Sequence, residues 1–235
     1  MRTFIIKRIS KWHFGFAISF LLLLTLLPGL VQRVNIEPEK PRPIYQGATD
    51  KPQVALACNV FWGEEYLPEM LDVLDKNNIK ITFFIGGSWA KRHPDIVKMI
   101  ANGNHELGNH TYSHPHPNVI DKEANKEQIV KTETLIKELT GIKTTLYAPP
   151  YGEFNDTVLK AASEAGYTTI LWSIDTIDWK RPSPDIIIER VMNKIHNGAI
   201  ILMHPTEPTL KALPTLISKI QGRGYKIVSV SLVVQ

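Results

Sequence analysis

A single cysteine among 235 residues leaves no partner for an internal disulfide. It is Cys58, inside the apolar run VALACNV, where a thiol acts as a small buried hydrophobe. Export is not excluded, because exported proteins can lack disulfides. Net charge is also absent from most of the chain: residues 51–235 hold 20 basic and 20 acidic side chains. A neutral domain has no basic field to follow a phosphate backbone, which excludes a nucleic-acid groove. The formal charge of +4 comes from the N-terminus instead.

The first 13 residues, MRTFIIKRISKWH, contain four basic and no acidic groups, and the next 18, FGFAISFLLLLTLLPGLV, carry no charge. That length is near the lower end of what a helix needs to span a bilayer. The basic flank places the rest of the chain on the far side of the membrane from the cytoplasm. No A-x-A cleavage pattern follows, so residues 1–31 read as a signal-anchor helix, with a removed signal peptide as the alternative. Residues 32–50, rich in proline and polar groups, read as a linker or an extended entry segment. Residues 51–235 are long enough to bury one sizeable core.

Seven apolar segments read as strands or strand ends: VALACNVF, ITFFIG, GNHELGNH, TTLYAPP, TTILWSID, GAIILMH and YKIVSVSLVV. Between them lie stretches with apolar residues at helical spacing, several closing on Gly or Asn. Strand followed by helix, repeated over about 180 residues, predicts an α/β fold of parallel βα units. The apolar runs do not choose between a closed barrel and an open sheet. In either, loops beyond the carboxyl ends of the strands meet at one face. Asn59, His110, Asp175, Asp178 and His204 follow strands and can converge there.

Four of the eight histidines fall within GNHELGNHTYSHPHP, residues 103–117. His110 and His114, four apart, can share one side of a helical turn and bind zinc or another divalent cation. Exposed or structurally bonded histidines are the bland reading of the same pair. His105 reads as structural, and His116, between two prolines, as exposed. His204, at the end of LMH, carries an imidazole, a group suited to proton transfer, and a carboxylate from SIDTIDW would fix its tautomer. Trp179 could pack on a sugar face. The prolines of YAPPYG restrict the backbone beside Tyr147 and Tyr151.

In this order, the motifs resemble those of the NodB-homology polysaccharide deacetylases, carbohydrate esterase family 4, across residues 51 to 231. HTYSH resembles the metal-binding histidine motif, APPYG the arginine-proline-proline-tyrosine-glycine motif, IDW the acidic-tryptophan motif and LMH the general-acid motif. The resemblance implies a distorted (β/α)7 barrel that removes N-acetyl groups from peptidoglycan or chitin-like glycan. It implies a divalent metal, zinc first, on His110 and His114. His204 would be the general acid, supported by Asp178, with Tyr151 and Trp179 binding substrate.

Family members usually carry threonine-phenylalanine-aspartate-aspartate at the first strand end, and this chain departs from that pattern. Asn59 stands where the catalytic base belongs, Val60 where the third metal ligand belongs, and Ala148 where an arginine positions the base. An asparagine amide has no useful basicity near neutral pH, and valine has no donor atom. Glu64 or Glu65 is the candidate substitute base, against a simpler role at the polar start of the next helix. Two readings compete: a glycan N-acetyl hydrolase with an altered site, and an inactive deacetylase-like protein that binds glycan or serves envelope assembly. A membrane-tethered domain with a protein partner is the third.

Overall fold

The computed structural model describes residues 40–235. The helix expected over 14–31 and most of the expected linker lie outside the described residues. Among the described residues, no helix is long and apolar enough to cross a membrane.

The strands are β1 Gln53–Val60, β2 Thr82–Ile85, β3 Glu106–Asn109 and β4 Leu146–Tyr147, then β5 Thr168–Thr169, β6 Ile174–Asp175, β7 Ile200–Met203 and β8 Lys226–Val228. They form one sheet in the order β5-β4-β3-β2-β1-β7-β6, with β8 also on β1. Every pairing between these strands is parallel. The helices are α1 Leu67–Lys76, α2 Gly87–Arg92, α3 Pro94–Asn102 and α4 Lys122–Thr140, followed by α5 Asp156–Glu164, α6 Pro184–Met192, α7 Glu207–Gly222 and α8 Val230–Val233. The expected alternation of strand and helix holds, and the curled sheet resembles a distorted (β/α) barrel.

β1 shows why the sheet curls around a narrow interior. Its side chains alternate between faces. Val54, Leu56, Cys58 and Val60 pack in the large apolar cluster with residues of the surrounding helices. The opposite face offers only Ala55 and Ala57, which meet Phe84, Ile170 and Ile200 in the inner cluster. Small residues on the central strand leave room for the larger side chains of its neighbours. Asn59 continues the inner face and so points toward the strand-exit end of the interior.

Two strand expectations fail locally, each through tertiary bonding. TTILWSID is not one strand: it breaks into β5, paired to β4, and β6, paired to β7. The break is filled by Ile44, which donates to the Thr169 carbonyl and accepts from Leu171 N–H. Part of the segment read as linker is therefore built into the fold, and Pro41–Gln235 forms one compact unit. At the other end, the strand expected through YKIVSVSLVV stops at Val228. Val230 N–H donates to Thr82 Oγ1 and Ser231 N–H to Glu106 Oε2, and the chain turns into α8. Side-chain acceptors thus replace the ladder partners a longer strand would need.

Helix caps set the loops at the exit end. Asp121 and Asn155 accept from backbone N–H groups three residues on, starting α4 and α5. Thr206 does the same for α7, two residues after His204. A helix so started holds the preceding turn in one conformation, which links the cap to the site.

Candidate functional site

A cleft of about 460 Å³ opens at the strand exits, lined by Asn59, Phe61, Trp62, His110, His114, Tyr151, Trp172, Asp175, Trp179, Leu202 and His204. The expected convergence of residues far apart in sequence occurs here. Strained backbone gathers on the same loops: Thr111, His114, Tyr151 and Ile177 all have φ between 53° and 62°. Such conformations are unfavourable for residues with a side chain, most of all for β-branched ones, and persist where surrounding bonds impose them.

The histidine loop follows β3. His110 is 2% exposed, and its Nδ1 lies 2.7 Å from the Ala148 carbonyl oxygen. Nδ1–H is the donor in that bond, so Nε2 carries the free lone pair. Residues 110–116 are an irregular turn and not the helical turn the spacing allowed. The two rings still meet, with centroids 4.9 Å apart and planes at 69°. Gln128 of α4 holds the turn: its Oε1 accepts from Tyr112 N–H, Ser113 N–H and Ser113 Oγ–H at 3.0, 2.8 and 3.1 Å. Burial, then the nearby His114, pushes the His110 pKa down to about 3. Burial pushes His114 down to about 4. Both rings are neutral at pH 7.

The other intact group joins two strand exits. Asp178 is fully buried in the turn after β6. Its Oδ1 lies 2.8 Å from His204 Nδ1, and its Oδ2 accepts from His204 N–H and Thr209 Oγ–H, each at 2.6 Å. The carboxylate thus fixes the His204 tautomer with Nδ1–H toward it and Nε2 left as the other ring nitrogen. Trp62 stacks on His204, centroids 5.7 Å apart at 10°. That approach depends on Gly63 at φ +84°, where an added Cβ would lie 2.1 Å from the Pro205 carbonyl oxygen.

The β1 exit offers little chemistry by contrast. Asn59 is 5% exposed, and its Oδ1 is buried without a hydrogen-bond partner. An unpaired buried acceptor costs about 1–3 kcal/mol. Val60 is fully buried, and Ala148 is buried beside His110. The two candidate glutamates lie outside the cleft lining. Glu64 Oε2 accepts from Trp89 Nε1, and its Oε1 lies 3.8 Å from His93 Nε2. The Glu64 pKa is lowered, first by its own backbone N–H, which leaves it a weaker base. Glu65 is exposed, and neither residue lines the cleft.

The remaining candidates fall at the rim. Tyr151 is 56% exposed, edge-on to His114 and stacked on His116 at 4.1 Å. Trp179 is 52% exposed with Lys180 Nζ 5.0 Å above its ring. His116 is exposed and bonds Glu153. His105 is buried at the opposite end of β3, its Nδ1 accepting from Ile81 N–H.

A polysaccharide deacetylase family model matches residues 46–170. The chain belongs to this family. Its deacetylase fold is of the NodB-homology, carbohydrate esterase family 4 type, in a divergent form. YlxY of Bacillus subtilis strain 168 is 44% identical over 198 residues, 84% of this chain and 62% of that protein. This chain therefore spans less than two thirds of YlxY. A peptidoglycan-N-acetylglucosamine deacetylase of Bacillus cereus is 37% identical over 196 residues, covering 81% and 71%. A solved structure of a CE4 family pseudoenzyme from Bacillus anthracis superposes with a TM-score of 0.81 at 45% identity, covering 83% and 69%. A variant of that pseudoenzyme, also solved, has restored enzymatic activity.

Deacetylases of this family typically use a divalent metal. Catalytic zinc sites use three protein ligands and an open position. His110 and His114 bring two imidazoles together, and the buried Val60 at the β1 exit has no donor atom in its side chain. Among the described residues, no group of three His, Cys, Asp or Glu side chains is arranged to hold a metal. The residues present do not fit a three-ligand centre.

Sequence reasoning passed over Trp62, Trp172, Thr209 and Gln128. Trp62 carried a weak signal, an aromatic before a glycine at a strand exit. Thr209 and Gln128 carried none, since each sits on a helix and reaches the site only through folding.

Proposed function

We propose that this chain is a non-hydrolysing member of the deacetylase family that holds cell-wall-type glycan, peptidoglycan or chitin-like, in the strand-exit cleft. The observation that carries the reading is the β1 exit. Hydrolysis of an acetamide needs a base to take a proton from the attacking water, and the amide of Asn59 has no such basicity. Val60 and Ala148 remove the ligand and the cation that would accompany a base. The cleft keeps exposed aromatic faces at Trp62, Tyr151 and Trp179, suited to the apolar faces of sugar rings. Homology to the Bacillus anthracis pseudoenzyme supports the same reading. Tethering through residues 14–31 would place the cleft outside the cytoplasm, where such glycan lies.

A second reading, a hydrolase of altered mechanism, draws on the intact Asp178–His204 pair, with His204 protonating the departing amine. One experiment separates the two. The purified full chain, kept in detergent, is mixed with insoluble peptidoglycan and with chitin, and both sedimentation and free acetate are measured. The expected result is co-sedimentation with glycan and no acetate above a His110→Ala/His114→Ala variant. Acetate release that the double variant loses would establish the hydrolase. Failure to sediment with either glycan would remove the binding reading.

A further inference from the structure

Two residues of the parted segment TTILWSID owe backbone partners to Ile44. Ile44 N–H donates to the Thr169 carbonyl at 2.9 Å, and the Ile44 carbonyl accepts from Leu171 N–H at 2.8 Å. Thr169, Ile170 and Leu171 are buried, where an unpaired backbone group is costly. From Ile44 the chain runs on as a strap to the strand-entry end of the sheet, where Gln46 bridges to Ala199. There Gly47 N–H donates to the Gly198 carbonyl and Ala48 N–H to the Val233 carbonyl.

The residue after Leu171 is in the cleft. Trp172 lines it, and packs with Ile44 against the inner apolar cluster. On its other side Ser173 N–H donates to the Ile200 carbonyl at 3.1 Å, so Trp172 is held between the strap and β7. Its indole lies against the turn that carries Tyr151. A Cβ added to Gly152 would fall 2.7 Å from Trp172 Cη2. Tyr151 stands on that turn at φ 60° and is exposed at the rim. Ile44, Leu171, Trp172 and the Tyr151 turn therefore form one continuous series of contacts, from outside the cleft to its edge.

We propose that Ile44 is a positioning residue for the cleft: its strap holds Trp172 against the Tyr151 turn, and glycan affinity falls when the strap is loosened. The inference rests on the glycan-binding reading above and adds a control point outside the cleft. Ile44 does not line the cleft. It acts by giving the parted segment the edge partner that a continuous strand would have had. By linkage the effect is reciprocal, so bound glycan tightens the strap.

The test uses the full chain in detergent, labelled with fluorotryptophan, which gives one fluorine resonance for each of the five tryptophans. Trp172→Phe and Trp89→Phe assign the two that matter. Trp89 is fully buried in the large apolar cluster and reports the fold as a whole. Ile44→Ala removes the side chain that seats the strap. It should shift the Trp172 resonance, leave that of Trp89 in place, and weaken chitotetraose binding about tenfold by calorimetry. Ile44→Val keeps most of the packing and should restore both readings. Leu216→Ala, on α7 in the large cluster, lowers the melting temperature without touching the strap, and should change neither. A second measurement needs no variant: saturating chitotetraose should slow hydrogen exchange at the Ile44 and Leu171 amides of wild type about tenfold. A Trp172 resonance unmoved in Ile44→Ala overturns the positioning role. A moved resonance with unchanged affinity, or exchange that glycan leaves unchanged, overturns the link to binding. The same losses in Leu216→Ala make the effect one of stability alone and overturn the inference. If wild type binds no chitotetraose, the glycan-binding reading falls and the link to affinity with it. The Trp172 resonance then still decides whether the strap positions the cleft, so the two failures are told apart.

Discussion

At the exit of β1, the positions that would make a nucleophile hold Asn59 and Val60, one with an unpaired oxygen and the other with no polar atom. At the exits of β6 and β7, Asp178 stands with both oxygens hydrogen-bonded, to His204 and to Thr209. Both regions open into one cleft. The contrast lies in what else each group does. Asp178 accepts a backbone N–H from β7's exit and a hydroxyl from α7, so it ties two elements together whether or not chemistry occurs. A base and a metal ligand at β1 would be charged groups at the end of a buried strand, with no such structural duty. Under the non-hydrolysing reading, the Asp178–His204 pair persists through this structural work. The presence of Asp178 and His204 is not, by itself, a sign of turnover.

The largest expected effect tests that structural duty. Asp178→Ala strands a backbone N–H and a buried hydroxyl, and should cost about 3–5 kcal/mol in denaturant unfolding. A loss below about 1 kcal/mol would break the comparison, because the pair would then owe its persistence to something other than the fold. Val60→Asp comes next. A carboxylate placed among the residues of the large apolar cluster should cost about 2–4 kcal/mol without metal. Added zinc should raise the melting temperature of that variant more than that of wild type, through His110 and His114. If Val60→Asp is tolerated without cost and without a zinc response, the site was not emptied at this position.

The smallest effect concerns the opposite end of β3, where no ligand is proposed. Burial, then Lys80, pushes the His105 pKa from 6.5 down to about 4. The unfolded chain then binds a proton that the folded chain refuses. The stability at stake is fully present above pH 6.5, falls as pH drops toward 4, and is lost below it. The full shift corresponds to about 3 kcal/mol, which solvent screening of this ring reduces to about 2 kcal/mol. His105→Asn keeps an acceptor for Ile81 N–H, and its stability between pH 7.5 and 4 should fall less than that of wild type. Parallel curves would show that His105 is not the group responsible.

Much of this was legible in the sequence. β1 and β7 stand out because strands buried on both faces are continuous apolar runs, and His204 sits immediately beyond the second of them. What was not legible depends on contacts between distant segments. TTILWSID gives no sign that Ile44 will part it into two strands. YKIVSVSLVV has the composition of one strand, and only Thr82 and Glu106 turn its end into a helix. The loop HTYSH has a helical spacing but is shaped by Gln128, fifteen and sixteen residues away. The orphaned oxygen of Asn59 is likewise a property of what surrounds it. From sequence it is a missing base, and from structure it is a buried acceptor without a partner.

The most direct test of the central claim restores the β1 exit. Acetate release from N-acetylglucosamine oligomers is measured for wild type and for Asn59→Asp/Val60→Asp/Ala148→Arg, each with and without zinc. The account predicts no release by wild type under either condition, and zinc-dependent release by the triple variant through the Asp178–His204 pair already in place. Zinc-dependent release by wild type would contradict it, since a chain lacking these three groups would then be carrying out the hydrolysis.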